Sequence, residues 1–302
     1  MLDMLFSEHT ITTGISLATP ILLCALGGAV CSKAGNFNIA MEGFMLVGAL
    51  FGVVGAYFMG NVAMGVICAI IASVIMTLLY GLFLIKFKGN EIILGFGFNM
   101  LAVALTGWLL APLFGNAGSF YNPNTPSLTK LAIPIIKDIP LLRCLSGHNI
   151  IVYLSWIIVI VLFIMMYKTP LGFRLRALGE NSKTLDVTGM NTVRYRYLAE
   201  IICGVLCGLA GAFLSIGNLS MFTENMTSGR GYIAVAAVGF SNAYIPVTAV
   251  ASLIFGFTSS MAIQLQGIGF PSQLVDMTPY IITILVIIIS SFKKNKDKGS
   301  RQ

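Results

Sequence analysis

Residues 168–200 read KTPLGFRLRALGENSKTLDVTGMNTVRYRYLAE. They hold six of the chain's 18 basic side chains (Lys168, Arg174, Arg176, Lys183, Arg194, Arg196), with Glu180, Asp186 and Glu200 among them. The flanking stretches are of the opposite kind: residues 43–85 and 231–275 contain no Asp, Glu, Lys or Arg. One long polar block among uncharged runs is the pattern of a protein fixed in lipid that keeps one structured face in water.

Composition agrees. The 302-residue chain is 57% hydrophobic and only 10% charged, with a mean hydropathy of +0.91, against about 25% charged residues in soluble domains. A helix needs roughly 20 apolar residues to cross the hydrocarbon core, where lipid offers no partner to open backbone groups. The uncharged runs are long enough, and stretches such as IITILVIIIS (281–290) lack the alternation of a β-barrel strand. The expected fold class is all-α, a polytopic membrane helix bundle in one domain over 1–302.

Apolar segments run approximately over 11–31, 37–58, 62–85, 92–112, 149–167, 197–217, 231–243, 246–269 and 278–292. About eight crossings are expected (eight to ten), the seventh and eighth meeting at the turn Ser241-Asn242-Ala243-Tyr244-Ile245-Pro246. Basic residues bias short loops to the cytoplasm. Placing Lys33, Lys86, Lys88, the 168–196 block and the basic tail 293–302 inside puts the N-terminus and the proline-rich loop 113–148 outside. Five of the positive residues behind the net charge of +7 lie in that tail, where they read as a positive-inside anchor, so no nucleic-acid partner is expected. The six cysteines show no paired metal-ligand spacing and read as packing residues. The first ten residues carry no Lys or Arg, so the first helix is expected to stay in the mature protein. Glycines recur at helical spacing (Gly48/Gly52, Gly204/Gly208, Gly208/Gly211), which allows close helix approach.

Within the polar block, Thr169-Pro170 reads as N-cap and first helical residue. Leu171, Leu175 and Leu178 give the following helix an apolar face, with Gly179 as a left-handed stop. Asn181 or Ser182 is placed to cap a second short helix ended by Gly189. The intramembrane polar set is Asn36, Asn38, Glu42, Asn90, Glu91 and Asn99. Glu42 follows Asn38 by four residues, one helical turn. The pair suits ribose hydroxyls or a base edge; equally, Glu42 is placed to clamp Asn36 and Lys33. Asn90-Glu91 reads as a helix cap, Asn99 as lining a path. Arg230 is the one charge at its helix start, a headgroup anchor or a contact for incoming substrate. No catalytic arrangement, phosphate-binding loop or metal site is legible.

The stretch PLGFRLRALGENSKTLDVTGMN resembles the coupling-loop signature of ABC importer permeases of the branched-chain amino acid, ribose and nucleoside group. SKAGNFNIAMEGFMLVGAL (32–50), NEIILGFGFNMLA (90–102) and MTSGRGYIAVAAVGFSNAYIPVTAVASLIFG (226–256) are similar to the same group, and most so to its nucleoside and simple-sugar permeases. The resemblance implies a coupling loop carried by Gly172, Arg174, Arg176, Ala177, Gly179, Glu180, Asn181, Asp186 and Gly189, and a substrate path containing Asn38, Glu42, Asn99 and Arg230. It implies a multi-pass protein of the bacterial plasma membrane, moving nucleosides, or ribose and other simple sugars. The implied partners are an ATP-binding subunit, a second permease subunit (a longer paralogue or a second copy) and an extracellular substrate-binding lipoprotein. The chain itself would be no enzyme and hold no cofactor, ATP being bound by the partner. The rival reading from another class is a secondary transporter driven by an ion gradient, which favours an ionisable relay near mid-membrane.

Overall fold

The computed structural model describes residues 8–115, 118–131, 146–182 and 189–267. Among the described residues nine α-helices carry the fold: α1 (Glu8–Lys33), α2 (Met41–Met59), α3 (Val62–Gly81), α4 (Glu91–Phe114), α5 (Ile150–Lys168), α6 (Pro170–Glu180), α7 (Thr192–Ala212), α8 (Arg230–Phe240) and α9 (Ile245–Gly267). π-helical turns extend α3 over Leu82–Lys86 and α7 over Phe213–Leu219. Among the described residues, seven helical stretches are long and apolar enough to cross a membrane.

Direction follows from contacts. At one end of the bundle the turn after α1 meets α6, Phe37 N–H donates to the Glu91 carboxylate at the start of α4 (2.8 Å), and Tyr167 of α5 packs on Tyr244. At the other, two short antiparallel ribbons form: β1 (Ser119–Tyr121) with β4 (Met221–Thr223), and β2 (Lys130–Leu131) with β3 (His148–Asn149). Ser16 Oγ lies 3.2 Å from His148 Nδ1 there. The chain therefore traverses the bundle eight times up to residue 267.

The seventh traverse, expected over 231–243, is made by α8 and is short for a full crossing. α8 has 11 residues, about 16 Å of rise against a core of about 30 Å. The turns of 224–229 carry the chain from β4 into the bundle, and α8 starts inside it. The expected eighth-traverse partner is α9, while the segment 278–292 and the basic tail lie outside the described residues.

Helices α1, α2 and α7 form the buried centre, with α3, α4 and α5 peripheral. The glycine faces act as the sequence suggests. A side chain at Gly211 would overlap the Met45 carbonyl, one at Gly208 the backbone of Ile70, and one at Gly204 the Thr77 hydroxyl, so α2 and α3 press directly on α7. Pro112 lies inside α4 near the helix end at Gly115, whose φ is +73°.

Candidate functional site

Helix starts expose N–H groups that have no intrahelical partner, and two such starts meet inside this bundle. Glu42 serves the start of α8: its Oε1 accepts from Gly229 N–H at 2.8 Å and its Oε2 from Gly231 N–H at 2.5 Å. A carboxylate suits the place because it has two acceptor oxygens and its charge opposes the helix dipole. Gly231 lies so near that a Cβ there would come within 2.5 Å of Glu42 Cα. The start of α2 is served by Asn99 Oδ1, which accepts from Gly43 N–H at 2.8 Å, and by Asn38 Oδ1, which accepts from Ala40 N–H at 2.9 Å. Asn99 Nδ2 donates to the Ile39 carbonyl and to the Tyr232 hydroxyl, both at 3.1 Å.

An open pocket of about 610 Å³ lies against this joint, lined by Glu42, Asn99, Tyr232, Phe96, Met100 and Asn225 among others, with no Lys or Arg. Tyr232 oxygen accepts from Asn99, which leaves its own proton to be donated elsewhere. Glu42 offers further lone pairs, and Phe96 and Tyr232 offer ring faces. Such a lining suits an uncharged cargo that combines hydroxyl or amine donors, an acceptor and a flat ring.

Of the four path residues expected, the pocket gathers Glu42 and Asn99. Arg230 stands beside it, but its Nη1 donates to the Met226 and Thr227 carbonyls (3.1 and 3.2 Å) and so braces the turn that leads into α8. Asn38 points elsewhere. The expected helical pairing of Asn38 with Glu42 fails because 36–39 is not helical and α2 begins at Met41. The alternative clamp of Glu42 on Asn36 and Lys33 does not form either, since its carboxylate is engaged by α8.

Glu200 is the residue that sequence reasoning counted both in the polar block 168–200 and in the apolar segment 197–217, and left out of the intramembrane polar set. It is fully buried, eight residues into α7. Its Oε1 accepts from Asn36 Nδ2 at 3.1 Å and its Oε2 from Asn38 Nδ2 at 3.0 Å. The available signal was AEIICGVLCG (199–208): Glu200 is followed by an uncharged apolar run, so it belongs with the span.

The docking face expected from the sequence falls on α6. Thr169 Oγ1 accepts from Gly172 N–H (3.4 Å) and Pro170 opens the helix, as expected. Leu175 and Leu178 are buried and Leu171 half-buried. Gly179 is not a left-handed stop, because α6 continues through it to Glu180. Instead, a Cβ at Gly179 would overlap the Lys33 carbonyl oxygen and one at Gly172 the backbone of Met165 and Met166, so α6 sits directly on the ends of α1 and α5. Arg174 Nη1 donates to the Tyr195 hydroxyl of α7 at 2.8 Å, and the Arg176 guanidinium lies 5.2 Å from the Tyr167 ring centre. Phe173 is 67% exposed; Arg174, Glu180 and Asn181 are exposed beside it, and Ala177 is half-buried. Gly189 has φ +75°, whereas Asp186 and the body of the expected second helix lie outside the described residues.

The model of a family described as branched-chain amino acid transport system / permease component matches residues 10–290. The chain is 32% identical over 288 residues to the guanosine ABC transporter permease protein NupQ of Bacillus subtilis (strain 168), covering 89% of this chain and 88% of that protein. It is 26% identical to the guanosine ABC transporter permease protein NupP of the same organism (90% and 78% covered). It is 25% identical to the glucose ABC transporter permease protein TsgB13 of Haloferax volcanii (97% and 80% covered).

Proposed function

The chain belongs to the branched-chain amino acid transport system / permease component family, and on that footing we propose that it is the membrane subunit of a binding-protein-dependent ABC importer for nucleosides. One observation supports the cargo above others: Glu42, Asn99 and Tyr232 converge, with the ring of Phe96, on a pocket without a cation. A nucleoside has hydroxyl donors, ring acceptors and a flat base, and no charge. The likeness to NupQ and NupP, both guanosine permeases by name, points the same way.

In the mechanism that follows, two ATPase subunits close on ATP and displace α6. The face of α6 that meets them carries Phe173, Arg174, Glu180 and Asn181. Because Gly179 rests on Lys33 and Gly172 on Met165 and Met166, α6 cannot move without α1 and α5. The turn after α1 leads within nine residues from Lys33 to Glu42, and Glu42 holds the start of α8 beside the pocket. The lever thus ends at the pocket wall. ATP is bound and hydrolysed by the partner, this chain supplying path and lever.

The basic residues at the α6 end favour a cytoplasmic position for it in the plasma membrane, with the N-terminus outside. A second, related permease subunit is the favoured partner, since NupP and NupQ of one organism both match this chain; an extracellular substrate-binding lipoprotein delivers the cargo. The likeness to TsgB13 favours simple sugars as the second reading. The test is uptake of labelled guanosine into vesicles holding the assembled complex. ATP-dependent uptake, competed by nucleosides and not by glucose or ribose, is expected; uptake on an ion gradient without any ATPase refutes the importer reading.

A further inference from the structure

Glu200 is a carboxylate buried within a membrane-spanning helix, a costly placement that normally accompanies a pathway or a specific partner. It is not on the pocket, and its two oxygens are taken by Asn36 and Asn38 from the non-helical segment 34–40. Its side chain also lies against α3, where a Cβ at Gly81 would be 3.6 Å from Glu200 Cγ. Apolar packing alone would have filled this space with less cost.

The segment that Glu200 holds has a particular position. Its first residues, next to Lys33, carry Gly35, whose Cβ would lie 3.2 Å from Gly179 Cα of the docking helix. Its last residues lead into Glu42. The docking helix reaches α7 separately, through Arg174 and the Tyr195 hydroxyl. A displacement of α6 therefore travels by two arms, one through segment 34–40 and one through α7, and the Glu200–Asn36–Asn38 bonds are where the arms are tied.

Resting on the importer reading above, we infer that Glu200 is a positioning residue for coupling: by fixing segment 34–40 to α7, it makes movement of the docking helix reach Glu42 instead of being absorbed by that segment. Without it, Asn36 Nδ2 loses its acceptor and Asn38 Nδ2 keeps only its long contact with Cys203 Sγ (4.0 Å), and the segment can shift along α7.

The experiment reconstitutes the complete complex, with its ATPase and binding protein, in proteoliposomes and measures guanosine moved per ATP hydrolysed. Glu200→Ala is expected to keep hydrolysing ATP while this ratio falls at least about fivefold, the lower end of typical coupling effects. Glu200→Gln, which keeps the shape and one acceptor oxygen, is expected to fall between, and serves as the test should Glu200→Ala not assemble. An unchanged ratio, or transport and hydrolysis falling together in proportion to the amount of complex, overturns the inference by reducing Glu200 to structural support. If the native complex moves no guanosine, the nucleoside reading fails separately, and the same ratio is read with glucose or ribose as cargo.

Discussion

Gly179 of α6 lies against the carbonyl oxygen of Lys33 at the end of α1, with no room between them for a methyl group. This contact joins the water-facing block to the membrane core, and a glycine is required by the approach, its φ being ordinary for a helix.

Replacing Gly179 with Val should therefore lift α6 off α1. Overpacking of this kind costs about 1–3 kcal/mol, small enough for the bundle to survive. Transport is expected to fall about tenfold or more while the complex still hydrolyses ATP; measuring both in one preparation checks it, and unimpaired transport would speak against the contact's role.

Glu42→Ala leaves the amides of Gly229 and Gly231 without acceptors inside the bundle, at about 1–3 kcal/mol each. The purified protein should lose several degrees in Tm, and α8 should gain hydrogen exchange at its first turn. Gly231→Ala, which forces a methyl group onto Glu42, should reproduce this pattern. Unaltered exchange at Gly229 and Gly231 would show that Glu42 does not hold the helix.

Tyr232→Phe removes only the hydroxyl, and Asn99 keeps its bonds to Gly43 and Ile39. Folding stability should change by no more than about 1 kcal/mol, while KM for guanosine uptake rises several-fold and the maximal rate changes little. An unchanged KM would remove Tyr232 from cargo contact.

Phe173, 67% exposed on α6, is placed as an apolar anchor for the ATPase, and truncating such anchors costs about 2 kcal/mol or more of binding. Phe173→Ala should lower co-purification of the ATPase without changing the Tm of this chain alone. Full co-purification would move the docking surface elsewhere.

What was legible in the residues themselves was local. The uncharged runs, the Thr169-Pro170 helix start and the Asn90 cap, which accepts from Ile92 and Ile93 N–H, depend on neighbours within four residues. The glycine faces on α2 and α7 were legible for the same reason: helical spacing alone puts them together. What escaped was set by contacts far apart in the chain. Glu42 meets amides 187 and 189 positions away, and Glu200 meets Asn36 and Asn38 at 164 and 162. Nothing near Glu42 distinguishes capping its own helix from capping another. Glu200 was left out of the intramembrane polar set because charge counting grouped it with the polar block, although the apolar segment 197–217 already contained it.

The central claim is that the docking helix and the pocket move as one device. It is tested most directly by spin labels at Met100 and Asn225, both exposed and lining the pocket from α4 and from the turns before α8, with Cys68 and Cys144 changed to Ser. In the assembled complex, ATP should shift the distance between the labels, and Gly179→Val should abolish the shift while hydrolysis continues. The same ATP-driven shift in Gly179→Val would show that the pocket moves without the contact between Gly179 and Lys33, and would contradict the account.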